Sequence, residues 1–191
     1  MTSPARDTLW SVPNLLSLSR LPLAVIVFAL IAIEAWPAAL AVFVLAVLTD
    51  WLDGWWARRF NQLSAIGRNL DPLTDKVLIG GTFIYLLPVE PAGLTRWMVT
   101  LIIGRELLIT GLRGIVEATG RTFGADWFGK LKTVLQSSVL IGVFVLQSLR
   151  PVAPELASQL DHIQLVQLYA MLVATAGSAI QYLIKAIRIL K

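Results

Sequence analysis

The chain has 191 residues, 57% of them hydrophobic and only 15% charged, with a mean hydropathy of +0.73 and a formal net charge of +4. A soluble domain is about 45–50% apolar and about a quarter charged, so an ordinary water-soluble domain is excluded and an all-α, polytopic membrane protein forming one domain over residues 1–191 is expected. Cysteine is absent and His162 is the lone histidine, which excludes disulfides, thiolate metal centres and any site built on two histidines.

The amino-terminal stretch MTSPARDTLWS carries no early apolar core and no small-residue cleavage site, so no signal peptide is expected. A membrane-crossing helix needs about 20 mostly apolar residues, and six such helices are predicted, at 14–34, 36–57, 70–89, 94–116, 130–149 and 164–186. No repeat or linker divides them. The first opens on SVPNLLSLSRLPL, where Asn14 and Ser17 have the chemistry of capping groups. The second ends in DWLDGWWARR, with Asp50 and Asp53 at i, i+3 on one helix face and Gly54 beside them. The third opens on GRNLDPLTDK, with Asp71 and Asp75 at i, i+4. The fourth carries Arg105 and Glu106, and Arg113 a little over two turns on; the fifth is entered through Lys130 and Lys132. The last is free of charge from Ile163 to Ile184. All seven tryptophans, at 10, 36, 51, 55, 56, 97 and 127, fall near predicted span ends, as an interfacial aromatic belt requires.

With the N-terminus inside, all but Arg96 and Arg150 of the 16 lysines and arginines lie at cytosolic ends. This bias predicts six spans with both termini in the cytosol, at the inner membrane. For Arg6, Lys185, Arg188 and Lys191, topology and attraction to anionic lipids suffice as roles; no nucleic-acid partner is expected.

The second and third helices are sequential and antiparallel, so their aspartate-bearing ends are expected to be neighbours. Two carboxylates 4 Å apart repel by about 4 kcal/mol at an effective dielectric of 20, and carboxylates at membrane depth usually mark function. Two divalent cations relieve that repulsion, and an all-oxygen donor set suits Mg2+ or Mn2+. Each aspartate also has a plainer role open to it. Asp71 before Pro72 has the form of a helix N-cap followed by proline, and Asp50 or Asp53 has Arg58 or Arg59 as a potential partner.

Written out, residues 50–75 read D-x2-D-G-x2-A-R-x8-G-x3-D-x3-D, fixing Asp50, Asp53, Gly54, Ala57, Arg58, Gly67, Asp71 and Asp75. This resembles the signature of the CDP-alcohol phosphotransferase family, without departure in residue or spacing. The resemblance implies a homodimeric six-helix membrane enzyme that moves a phosphate-linked alcohol from a CDP-alcohol to an acceptor hydroxyl and releases CMP. It implies Asp50, Asp53, Asp71 and Asp75 as metal ligands, with Asp75 also the base on the acceptor. Gly54, Ala57 and Gly67 would allow close approach of the nucleotide, with Asn14 and Arg58 on the same nucleotide side.

PNLLSLSRLPL, TDWLDGWWARR, LDPLTDK, GRELLITGLR and GKLKT together resemble the phosphatidylglycerophosphate synthase branch, which joins CDP-diacylglycerol to sn-glycerol 3-phosphate. Arg105, Arg113 and Lys130 would then bind the acceptor's phosphate. The alternatives are a cardiolipin synthase, or a transferase using inositol phosphate or serine. A non-enzyme alternative, an ion transporter, is disfavoured by the absence of a repeat and by the placing of the charges toward one face.

Overall fold

The computed structural model describes residues 12–59, 65–90, 92–121 and 127–190, without the side chains of 12–13, 53–55, 57–58, 65–72, 127–130 and 190. Six α-helices follow one another: α1 (Val12–Ala32), α2 (Trp36–Arg59), α3 (Ala65–Leu86), α4 (Arg96–Ala118), α5 (Trp127–Leu149) and α6 (Pro154–Leu190). No strand occurs among the described residues. Three helices hold stretches long and apolar enough to cross a membrane, Asn14–Ala32, Leu131–Leu149 and Pro154–Ile189.

Two boundaries differ from those predicted. α3 begins at Ala65 and runs through Asp71 and Pro72, so Asp71 sits well inside the helix rather than at its N-cap. α6 begins ten residues before the expected position, with Pro154 in its first turn and Glu155 beside it. A proline at that place forfeits only an N–H that the helix would not use, and an acid there faces the positive end of the helix dipole. The ion pair from Arg150 Nη2 to Asp161 Oδ1, 2.7 Å long, neutralises the acid that precedes the predicted span.

The chain divides into two compact units, Met1–Leu86 and Leu87–Lys191. In the first, α2 and α3 each pack along α1. The surface that allows this is one stripe of α1: Asn14, Ser17, Arg20, Ala24, Val27 and Ile31, all buried. Against it α2 buries Ala39, Phe43 and Ala46. In an apolar solvent helices gain little from hydrophobic burial, and small residues that let backbones approach take its place. Along the same stripe, Phe28 stacks on Tyr85 of α3, with ring centroids 4.7 Å apart and planes 8° from parallel. The α1–α2 turn closes with Ala35 N–H donating to Leu30 O at 2.9 Å and Glu34 N–H to Ile31 O at 3.0 Å. This places Glu34 in the left-handed conformation that ends many helices, at φ 56°.

In the second unit α6 is the shared element, packing along both α4 and α5. Its seam with α5 is polar: Gln164 Nε2 donates to Val139 O at 3.0 Å and Gln167 Nε2 to Ser138 Oγ at 2.8 Å. Its seam with α4 is apolar, built from Ile109, Val116, Tyr182 and Ala186.

Gly81→Ala tests the α1–α3 seam. A Cβ there would run into the Phe28 ring, which its stack on Tyr85 holds in place, so a loss of about 1–3 kcal/mol is expected. It would be read as a lower unfolding temperature in detergent, and an unchanged temperature would contradict the packing described.

Candidate active site

The signature aspartates ride on α2 and α3. Asp50 lies on α2 about two and a half turns before its end, and its carboxylate accepts from Arg20 Nη1 of α1 at 2.5 Å. Neither Arg58 nor Arg59 has to supply that cation. The pairing is uneven in access to water: the Arg20 side chain is 0% exposed and that of Asp50 48%. Asp75 is partly buried on α3, and Asn14 is buried on α1. The side chains of Asp53, Gly54, Ala57, Arg58, Gly67 and Asp71 lie outside those described, though all six positions are within α2 or α3.

α1 sets the level of the two aspartate pairs. Arg20 meets Asp50, and the chain reverses between Ala32 and Trp36, so α1 and α2 are antiparallel. Phe28 meets α3 at Gly81 and Tyr85, near the C-terminal ends of both helices, and the two pack along their length. They therefore run parallel. Asp75 precedes Gly81 by six residues and Tyr85 by ten, so at a common rise per residue it falls level with about residues 18–22 of α1. That turn holds Arg20. Asp50 and Asp75 thus share a level along α1.

Arg20 was counted in the sequence only among the cations that set topology. Its signal was present: Asn14, Ser17 and Arg20 recur at three-residue intervals in an otherwise apolar helix, and all three are buried. An arginine in such a segment is costly unless paired.

The donor chemistry around Asp50 and Asp75 fits a hard divalent cation. The carboxylates are oxygen donors, the Asp50 group already draws a cation in the form of a guanidinium, and half of its side chain remains open.

The second unit assembles a separate cluster. Arg105, at 7% exposure, donates from Nη1 to Glu106 Oε1 at 3.1 Å. Lys132, equally buried, reaches the same oxygen from α5. The guanidinium of Arg105 also lies over the Tyr182 ring, 5.6 Å from its centroid, a cation–π distance. Exposed Arg113 donates from Nη2 to the Tyr182 hydroxyl at 3.4 Å. The side chain of Lys130 lies outside those described. Sequence spacing thus found Arg105 and Arg113 but not Tyr182, which sits 69 residues from Arg113 and joins them. Lys132, which the sequence places at the entrance to the fifth span beside Lys130 but outside the group expected to bind the acceptor's phosphate, is buried in the cluster. Two cations share the Glu106 carboxylate and a third, Arg113, reaches the cluster through Tyr182, a concentration of positive charge suited to an anion.

An all-helical membrane protein with paired aspartates on consecutive helices and a buried cationic cluster defines a narrow class. The profile of the CDP-alcohol phosphatidyltransferase family matches residues 10–181, and the chain belongs to that family. It is 41% identical over 99 residues to a Bacillus subtilis (strain 168) protein named CDP-diacylglycerol–glycerol-3-phosphate 3-phosphatidyltransferase, a match covering 52% of this chain and half of that one. An Escherichia coli (strain K12) protein of the same name is 36% identical over 140 residues, covering 69% of this chain and 75% of its own length.

Glu106→Gln would leave buried Arg105 and Lys132 without their shared anion, at a cost of about 3 kcal/mol. Adding Lys132→Met should return part of that loss. Unfolding in detergent of the two single variants and the double variant measures the coupling, and strictly additive losses would show that the pair does not interact.

Proposed function

We propose that this chain transfers a phosphatidyl group from CDP-diacylglycerol to sn-glycerol 3-phosphate, giving phosphatidylglycerol phosphate and CMP. The observation that carries this reading is the placing of Asp50 and Asp75 at one level of α1, within a chain whose family match runs from residue 10 to 181. The names of the Bacillus subtilis and Escherichia coli relatives support the choice of acceptor.

The reaction makes one P–O bond and breaks another. The acceptor's 1-hydroxyl attacks the phosphorus that bears the diacylglycerol, and the bond from that phosphorus to the bridging oxygen breaks, with CMP leaving on that oxygen. Asp75 takes the hydroxyl proton as general base. Mg2+ or Mn2+, a pair of which Asp50, Asp53, Asp71 and Asp75 would hold, supplies neutralising charge for the diphosphate and for the oxygen that leaves. Gly54, Ala57, Gly67, Arg58 and Asn14 serve the nucleotide. Arg105, Arg113, Lys130 and Lys132 bind the acceptor's phosphate, with the guanidiniums offering planar paired donors. The six helices span the inner membrane with both termini cytoplasmic, and the working form is a homodimer with lipid around it.

Purified protein given CDP-diacylglycerol and a panel of glycerol phosphate, inositol phosphate, inositol, serine and phosphatidylglycerol should yield phosphatidylglycerol phosphate alone, with equimolar CMP. Cardiolipin as the product would move the chain to another branch. Asp71→Asn should abolish CMP release while leaving the protein folded, and EDTA should do so reversibly, with Mg2+ or Mn2+ restoring turnover. Metal-independent activity refutes the two-cation account.

Arg105→Ala removes a charge-assisted contact, typically 1.5–3 kcal/mol, and should raise KM for glycerol phosphate about 10-fold or more with little change for CDP-diacylglycerol. An equal effect on both substrates would remove Arg105 from the acceptor's phosphate.

A further inference from the structure

We propose that Arg20 is a positioning residue of the metal site: its guanidinium holds Oδ1 of Asp50 and so presents the rest of that carboxylate to a divalent cation. The inference rests on the reading of Asp50 as a metal ligand and adds a residue outside the aspartate signature.

Three observations carry it. The first is burial. A cation that merely sets topology extends its long side chain toward water, whereas Arg20 is 0% exposed and ends on Asp50. The second is placement. The buried stripe of α1 is polar at Asn14, Ser17 and Arg20 and apolar at Ala24, Val27 and Ile31. The polar half includes the turn level with Asp50 and Asp75, so polarity is confined to the part of the helix that serves the carboxylates. The third is the imbalance of the pair. A guanidinium with no access to water grips one oxygen of a carboxylate that is itself 48% exposed. If the pair served packing alone, apolar residues of similar volume would do as well or better. A fixed, half-open carboxylate is what a ligand site requires, and groups that orient metal ligands typically contribute 10- to 100-fold to metal affinity.

The test is Mn2+ binding to the purified full chain, followed through the electron paramagnetic resonance signal of free Mn2+, with thermal unfolding recorded in parallel. Arg20→Gln should weaken Mn2+ binding about 10-fold or more in protein that still unfolds cooperatively. Arg20→Lys, which keeps the buried charge but loses the planar fork, should fall between Arg20→Gln and the parent. A purely structural role would lower the unfolding temperature and leave the Mn2+ constant unmoved, and that result overturns the proposal. If Arg20→Gln does not fold, Arg20→Lys decides alone: binding about three-fold weaker or more supports the proposal and parental binding overturns it. Failure of both variants to fold assigns Arg20 to the fold and also overturns it. A parent chain that binds no Mn2+ defeats the metal reading itself, an outcome distinct from a parent that binds and an Arg20→Gln variant that binds equally well.

Discussion

A guanidinium cut off from water needs an anion beside it, and in the first unit the anion for Arg20 is Asp50. Separating a buried pair by removing one partner costs about 3–5 kcal/mol, so this contact fixes the register of α1 against α2 more firmly than the small residues along the same seam could. Once the register is set, the turn of α1 around Arg20 becomes the reference level. Phe28 and its stack on Tyr85 then fix α3 against the same helix. Two unlike contacts at different heights of α1 therefore determine where the aspartates of two other helices stand.

The second unit uses the same economy with α6 at its centre, but its seams are chemically divided. Toward α5 the contacts are amide and hydroxyl hydrogen bonds, with Gln164 filling the space that the missing side chain of Gly142 leaves. Toward α4 they are apolar until Tyr182, where the ring face and hydroxyl meet two arginines. Side-chain hydrogen bonds between helices in lipid contribute only about 0.6 kcal/mol on average. Several along one seam are directional all the same, and they specify which faces of α5 and α6 meet.

Much of this was legible in the sequence because apolar runs and aspartate spacing are local signals. All six helices overlap the stretches that hydropathy marks out. The failures came where local rules met a distant partner. Asp71–Pro72 has the form of a helix start, yet α3 begins earlier, at Ala65. The sixth span is predicted to begin at residue 164, yet Arg150 neutralises Asp161 and α6 runs through both Asp161 and His162. The level of Asp50 and Asp75 can be read from α1, which both α2 and α3 pack along, and no local pattern in α2 or α3 encodes that third helix; the aspartate-bearing ends expected to be neighbours lie largely outside the described side chains. Tyr182 was invisible for the same reason: a tyrosine near the end of an apolar span reads as part of an interfacial belt until Arg105 and Arg113 are found on it. Trp36, assigned to that belt, is likewise buried instead.

The Arg20–Asp50 pair and the Glu106 cluster also bear on what kind of protein this is. In each, charge and burial are unevenly shared. Asp50 has one oxygen engaged by a cation and half of its side chain open. Glu106 accepts from both Arg105 and Lys132 on a single oxygen. In the roles proposed for them, the first group meets a cation and the second an anion. A cation transporter has use for the first and none for the second. Transfer between a diphosphate donor and a phosphate-bearing acceptor uses both, because one substrate's negative charge is met through metal on carboxylates and the other's directly by guanidinium and ammonium groups. With the roles proposed for them, the charged groups of each unit suit phosphoryl transfer better than ion conduction, on grounds separate from the aspartate signature.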